Sequence, residues 1–154
     1  IREQGGKGTR NLNTNASRPD VVDRMFDAGL NSIRVSLASP RKEAYDAYHR
    51  PAGYSFADVL ESMRVAKGHG GFISLNLLVF PGFTDRAEEV EALKGMIREF
   101  DVDMIQWRNL NLDPEYYVET AGQAGAVAGL YQMVGEMKKE FPGLKHGYFN
   151  PFLG

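Results

Sequence analysis

A chain of 154 residues is about one domain's worth of sequence, since single domains usually hold roughly 100 to 200 residues. With 43% hydrophobic and 25% charged residues it has enough apolar material for a core and too little charge for disorder. Eighteen Lys plus Arg against 20 Asp plus Glu leave a net charge of -2, which argues against a broad nucleic-acid surface. The absence of cysteine excludes disulfides, a thiolate nucleophile and any Cys-ligated zinc or iron–sulfur site built from these residues. The longest run of large apolar residues, 77–80, falls far short of the ~20 needed to span a bilayer, so no membrane association and a cytoplasmic setting are the expectation.

Residues 1–9, with Gly5, Gly6, Lys7 and Gly8 together, read as a flexible lead-in, and residues 10–154 as the folded domain. From there β-like segments near 10–15, 32–37, 72–79, 103–109 and 144–149 alternate with amphipathic helical ones. Ser17 with Asp20, Ser55 with Asp58, and Asp85 with Glu88 have the three-residue spacing of capping boxes. Pro19 and Pro40 fall where a first helical turn tolerates a missing amide hydrogen, and Gly29 where a left-handed cap would sit. Apolar stripes run through Val22, Met25, Phe26 and Gly29, through Val59, Leu60 and Met63, through Val90, Leu93, Ile97 and Phe100, and through Val127, Leu130, Tyr131 and Val134. Each helix has one face to bury, as helices outside a parallel sheet do.

Strands covered on both faces usually read as near-continuous Val, Ile and Leu. Here one alternate face is polar instead. Asn11, Asn13 and Asn15 share a side of the first strand, and Ser32, Arg34 and Ser36 a side of the second. Ser74 and Asn76 continue the rule on the third, Gln106 and Arg108 on the fourth. Such a face meets either solvent or the interior of a hollow barrel lined for a polar ligand. The polar groups gather toward the strand C-termini, where βα loops assemble sites: Thr14, Asn15, Ser36, Arg108 and Asn109 lie there.

Other chemistries find little support. There is no HExxH, no paired histidine and no carboxylate cluster on the strands, so no catalytic or metal-ligating residue is assigned. His49 and His69 read as helix-end or loop residues, while His146 lies on a late strand with either a structural or a functional reading open. Lys145 is the sole candidate for a Schiff base, and a surface role fits it better. Residues 5–9 lack the spacing of a P-loop.

The strand sequences resemble those of the radical S-adenosylmethionine barrel. The segments are Leu12-Asn13-Thr14-Asn15, Ser32-Ile33-Arg34-Val35-Ser36-Leu37, the stretch from Ser74 through Pro81-Gly82-Phe83-Thr84-Asp85, and Met104-Ile105-Gln106-Trp107-Arg108-Asn109-Leu110-Asn111. They are similar, in order, to that family's third to sixth strands, over roughly residues 9 to 115. The fold implied is α/β, a partial (β/α) barrel of four to five βα units with a parallel sheet. The chain departs from the family in lacking both the Cys-x3-Cys-x2-Cys loop that holds a [4Fe–4S] cluster and the Gly-Gly-Glu type segment, which belong to the barrel's first half.

The resemblance implies the C-terminal part of a longer radical SAM enzyme. The parent would cleave S-adenosylmethionine reductively at its cluster and use the 5′-deoxyadenosyl radical on a small-molecule or peptide substrate. This portion alone is expected to be inactive and to hold neither cofactor. By the same resemblance Thr14, Asn15, Ser36, Arg34 and Asn76 would face the cofactor, and Gln106, Arg108, Asn109 and Asn111 the substrate. Asn111 and Asp113 could equally be turn residues beside Pro114. Exposed barrel edges would permit a weak homodimer. The competing reading is a non-catalytic α/β domain whose polar face holds a small polar ligand or a second chain.

Overall fold

The computed structural model describes residues 8–109, 129–147 and 153. Most of the expected lead-in, Val127, Asp113 and the end of the last expected strand therefore lie outside the described residues. Five strands form one parallel sheet in the order β1-β2-β3-β4-β5: β1 (Asn11–Thr14), β2 (Ser32–Leu37), β3 (Phe72–Val79), β4 (Met104–Asn109) and β5 (Lys145–His146). The helices are α1 (Pro19–Asp27), α2 (Lys42–His49), α3 (Phe56–Gly68), α4 (Ala87–Phe100) and α5 (Leu130–Glu140). This is the expected α/β partial barrel of βα units, with strand positions matching the alternation read from sequence.

The core lies between the sheet's apolar face and the helices. Ile33, Val35 and Leu37 of β2 and Ile73, Leu75 and Leu77 of β3 are buried against Val22 and Phe26 of α1, Val59, Met63 and Ala66 of α3, and Val90, Leu93, Ile97 and Phe100 of α4. Removing each of these side chains other than that of Ala66 from water contributes about 1.5–3 kcal/mol. Gly71, just before β3, is hemmed in by Phe26 and the Ala66 carbonyl, so α1 and α3 close directly over the residue that leads into the strand. Among the described residues no helix is long and apolar enough to cross a membrane. The Leu153 amide donates to Thr9 Oγ1 at 2.7 Å, returning the far end of the chain to the entry of β1.

Helix ends follow the expectations in part. Ser55 and Asp58 form the capping box of α3: the Ser55 hydroxyl accepts from the Asp58 amide while the Asp58 carboxylate accepts from the Ser55 amide. Pro19 opens α1, and Gly29 just beyond it adopts φ 97°, the left-handed conformation that glycine takes without strain. The other two boxes do not form. Arg18 occupies the cap position of α1, and Asp20 accepts from the Arg18 and Arg24 side chains instead. Arg86 caps α4, because Asp85 is engaged in the preceding loop. Pro40 precedes the cap Arg41 and lies outside α2. Two stripes also shift. Met25 is 37% exposed, and in α5 Tyr131 is 98% exposed while Met133 and Met137 are fully buried.

Candidate functional site

Strand register assembles the polar side chains into rows across the sheet. In parallel strands partnered residues point to the same side. One row joins Asn11, Ser32 and Phe72; the next joins Asn13, Arg34, Ser74, Met104 and Lys145. Further toward the strand C-termini come Ser36, Asn76 and Gln106, then Leu78 with Arg108. The alternate rows, Leu12–Ile33–Ile73, Thr14–Val35–Leu75–Ile105–His146 and Leu37–Leu77–Trp107, form the helix-covered side.

At the N-terminal end the polar groups of β1 and the start of β2 bond to one another. Asn11 Nδ2 donates to Asn13 Oδ1 at 2.9 Å, and the Ser32 hydroxyl donates to Asn11 Oδ1 at 2.8 Å. The central row offers more. Ser36 and Asn76 are half-buried beside the fully buried Gln106. Asn76 Oδ1 is buried without a hydrogen-bond partner among the described residues, a state that costs free energy until a donor arrives.

Arg34 and Arg108 bracket this row. Burial, and secondarily the charge of Arg108, push the Arg34 guanidinium below its ordinary range. Like charges therefore converge over Asn76 from the strands on either side of β3. Lys145, exposed as expected of a surface lysine, also belongs to this face, its ammonium 5.1 Å from the centre of the Phe72 ring.

Thr14 and Asn15 play a different local part. Thr14 falls in the row of Val35, on the helix-covered side, and its hydroxyl accepts from the Ala16 amide at 2.9 Å. Asn15 Oδ1 accepts from the Ser17 amide at 3.3 Å. Both side chains thus build the turn leaving β1, and Ala16, at φ 56°, is locked there by the Ser62 hydroxyl donating to its carbonyl at 2.7 Å. The Asn109 side chain and all of Asn111 lie outside the described residues.

The loop after β3 is self-bonded. The Phe80 amide donates to Thr84 Oγ1, the Gly82 amide to Asp85 Oδ1, and the Gly129 amide to Asp85 Oδ2 at 3.1 Å. Phe83, Thr84, Asp85 and Arg86 are all buried. The Pro-Gly-Phe-Thr-Asp segment therefore shapes the rim through its own hydrogen bonds.

Sequence reading missed a second buried polar group at the C-terminal end of β2. The Ser39 hydroxyl donates to Glu89 Oε2 at 2.6 Å, and Arg41 donates to Glu89 Oε1 at 3.3 Å. Burial pushes the Glu89 carboxyl up, against the opposing hydrogen bonds of Ser39 and Arg41. The available signal was position: Glu89 stands four residues before Leu93, in line with the apolar stripe of α4.

The histidines stay off the polar face. Trp107 Nε1 donates to His146 Nδ1 at 3.0 Å with the rings stacked, on the helix-covered side. His49 ends α2, stacked on Tyr45, and His69 caps α3, paired with Asp23.

The sequence model of the Radical SAM superfamily matches residues 2–94. Solved structures of similar fold include a radical SAM methyltransferase from Sphaerobacter thermophilus, at 16% identity and TM-score 0.57, the match covering 89% of this chain and 39% of that one. Methylornithine synthase (PylB) is 18% identical with TM-score 0.60, over 85% of this chain and 37% of that one. SuiB of Streptococcus suis, solved bound to the precursor peptide SuiA, is 12% identical with TM-score 0.60, over 90% of this chain and 31% of that one. This chain thus spans between 31% and 39% of the length of these structures. No curated protein matches it.

Proposed function

The chain belongs to the radical SAM superfamily, and on that footing we propose that it forms the ligand-bearing C-terminal wall of a radical SAM enzyme. The observation that carries the reading is the central row of the polar face together with Arg34 in the row before it. Ser36 offers a hydroxyl, Asn76 a buried acceptor lacking a donor, and Arg34 a guanidinium suited to a carboxylate. These groups fit the amino-acid end of S-adenosylmethionine, whose ammonium can donate to Asn76 while its carboxylate accepts from Arg34. When bound beside a reduced cluster, that cofactor supplies a 5′-deoxyadenosyl radical able to take hydrogen from a substrate.

The residues present do not fit the cluster. The chain has no cysteine, and among the described residues no three His, Asp or Glu side chains stand together as metal ligands. Thiolates from another part of the parent would have to provide it, and the parent's reducing cytoplasmic setting would keep them ready. What this wall contributes is orientation: a shared row of hydrogen-bonding groups fixes one end of the cofactor, and Gln106 at the β4 end of that row and Arg108 in the row beyond it stand toward a small-molecule or peptide substrate. The apolar face behind, packed against the helices, supports that row. We infer that this portion alone is catalytically inactive.

Calorimetric titration of S-adenosylmethionine into the chain tests the reading. Weak binding, lost in Ser36→Ala and in Asn76→Ala, is expected, because half of the binding shell is absent and the remaining contacts must offset ligand immobilisation almost alone. Binding indifferent to both substitutions would refute the assignment.

A further inference from the structure

The polar face is cationic without compensation from its own strands. Its rows contain Asn11, Asn13, Ser32, Arg34, Ser36, Phe72, Ser74, Asn76, Leu78, Met104, Gln106, Arg108 and Lys145, with no Asp or Glu among them. Neither Arg108 nor Lys145 takes part in an ion pair among the described residues, and both are exposed. Arg34 and Arg108 meanwhile bear on each other with like charge.

A further step rests on the reading that this face holds S-adenosylmethionine. That cofactor carries one carboxylate and two positive centres, an ammonium and a sulfonium, so it is itself net positive. One carboxylate matches one guanidinium fork. With Arg34 turned to that carboxylate, Arg108 keeps its donors, and the cofactor's net charge adds to the positive potential of the face rather than cancelling it. A second anion relieves both.

We propose that the substrate admitted by this face is anionic and enters with a carboxylate or phosphate group held by Arg108. The position supports it. Arg108 stands in the row nearest the strand C-termini, past Ser36, Asn76 and Gln106, and is exposed where Arg34 is half-buried. The same field disfavours cationic substrates such as polyamines.

The test is titration of the chain with inorganic phosphate, with succinate and with putrescine, each with and without S-adenosylmethionine, followed by amide chemical shifts in β4. Phosphate or succinate should shift resonances around Arg108, and putrescine should not. Arg108→Gln should weaken the anion about tenfold, the loss of a charge-assisted hydrogen bond, while cofactor binding is kept and, with one like charge removed from beside Arg34, slightly tightened; Arg108→Lys should restore part of the anion affinity. Phosphate binding more tightly than succinate supports a phosphorylated substrate, and the reverse a carboxylated one. Anion shifts that survive Arg108→Gln, or cofactor binding lost together with anion binding, would overturn the proposal. If anions depend on Arg108 while S-adenosylmethionine does not bind at all, the cofactor reading fails and anion recognition stands.

Discussion

Arg34 on β2 and Arg108 on β4 point to the same side of the sheet with only β3 between them, and the charge of Arg108 makes ionised Arg34 costlier. Two cations held near one another without ligand cost stability in proportion to the screening they lack. Arg108→Gln should therefore stabilise the free chain slightly, by about 0.5 kcal/mol or less for a partly solvated pair. Thermal melts at low and high salt are the measurement. The gain should appear at low salt and fade at high salt; a variant less stable than wild type at low salt would contradict it.

Gly71 admits no side chain. A Cβ there would stand 2.3 Å from Phe26 Cε1 and 2.8 Å from the Ala66 carbonyl oxygen. The phenyl ring can yield, but the backbone oxygen cannot without parting α3 from β3. Gly71→Ala is expected to cost about 1–3 kcal/mol, as overpacked cores do. Chemical denaturation would show it, and an unchanged midpoint would mean that the α1–α3 junction is looser than described.

Ala16 separates two opposing effects. Its φ of 56° costs roughly 1–2 kcal/mol for a residue with a Cβ, while its fully buried methyl contributes about 0.8 kcal/mol. Ala16→Gly should be neutral to mildly stabilising. Ala16→Val adds β-branching to the same conformation and should cost more than about 2 kcal/mol. Equal denaturation midpoints for both variants would rule out this account of the turn.

Burial pushes the pKa of His49 down, and that of His146 down too, with Lys138 adding to the latter. The folded chain then binds fewer protons than the unfolded one, so stability rises with pH through this range and is lost as pH falls below the ordinary histidine value of about 6.5. Glu89 acts with the opposite sign: its raised pKa gives stability that is present below the ordinary carboxyl value and lost as pH rises through the folded one. The difference between wild type and His49→Gln isolates the histidine part. Urea midpoints at neutral and mildly acidic pH should diverge less in the variant; identical pH slopes would eliminate His49 as a contributor.

β1 pairs on one side with β2 and, among the described residues, with no strand on the other. An edge of this kind recruits strands, but Asn11 and Asn13 make it polar, so self-association should be weak and concentration-dependent. Light scattering over a concentration series measures it. A monomer at every concentration, with the β1 amides protected from exchange, would mean that the edge is covered from within the chain.

The strands were legible because alternation survives even where one face is polar. Ser32 to Leu37 and Phe72 to Val79 could be read to the residue. Caps were less so, since a Ser or Asp at the right spacing has other partners to choose from: Asp85 turns back to Gly82 and across to Gly129, a contact 44 residues distant that no local pattern encodes. In α5 apolar residues occur around much of the helix, so spacing alone could not choose Met133 and Met137 over Tyr131. The same division runs through the site. The shared side of Arg34, Ser36, Asn76, Gln106 and Arg108 follows from parity. Thr14, one residue out of phase with Asn13, and Glu89, a carboxylate in an apolar stripe, are decided by packing.

The sheet's spatial order repeats its order along the chain: every strand lies beside the one before it and the one after it. No connection has to leap over a strand already in place. Units at either margin can therefore be gained, lost or exchanged between genes without rethreading the rest, and one βα module can be rewritten while its neighbours keep their pairing and register.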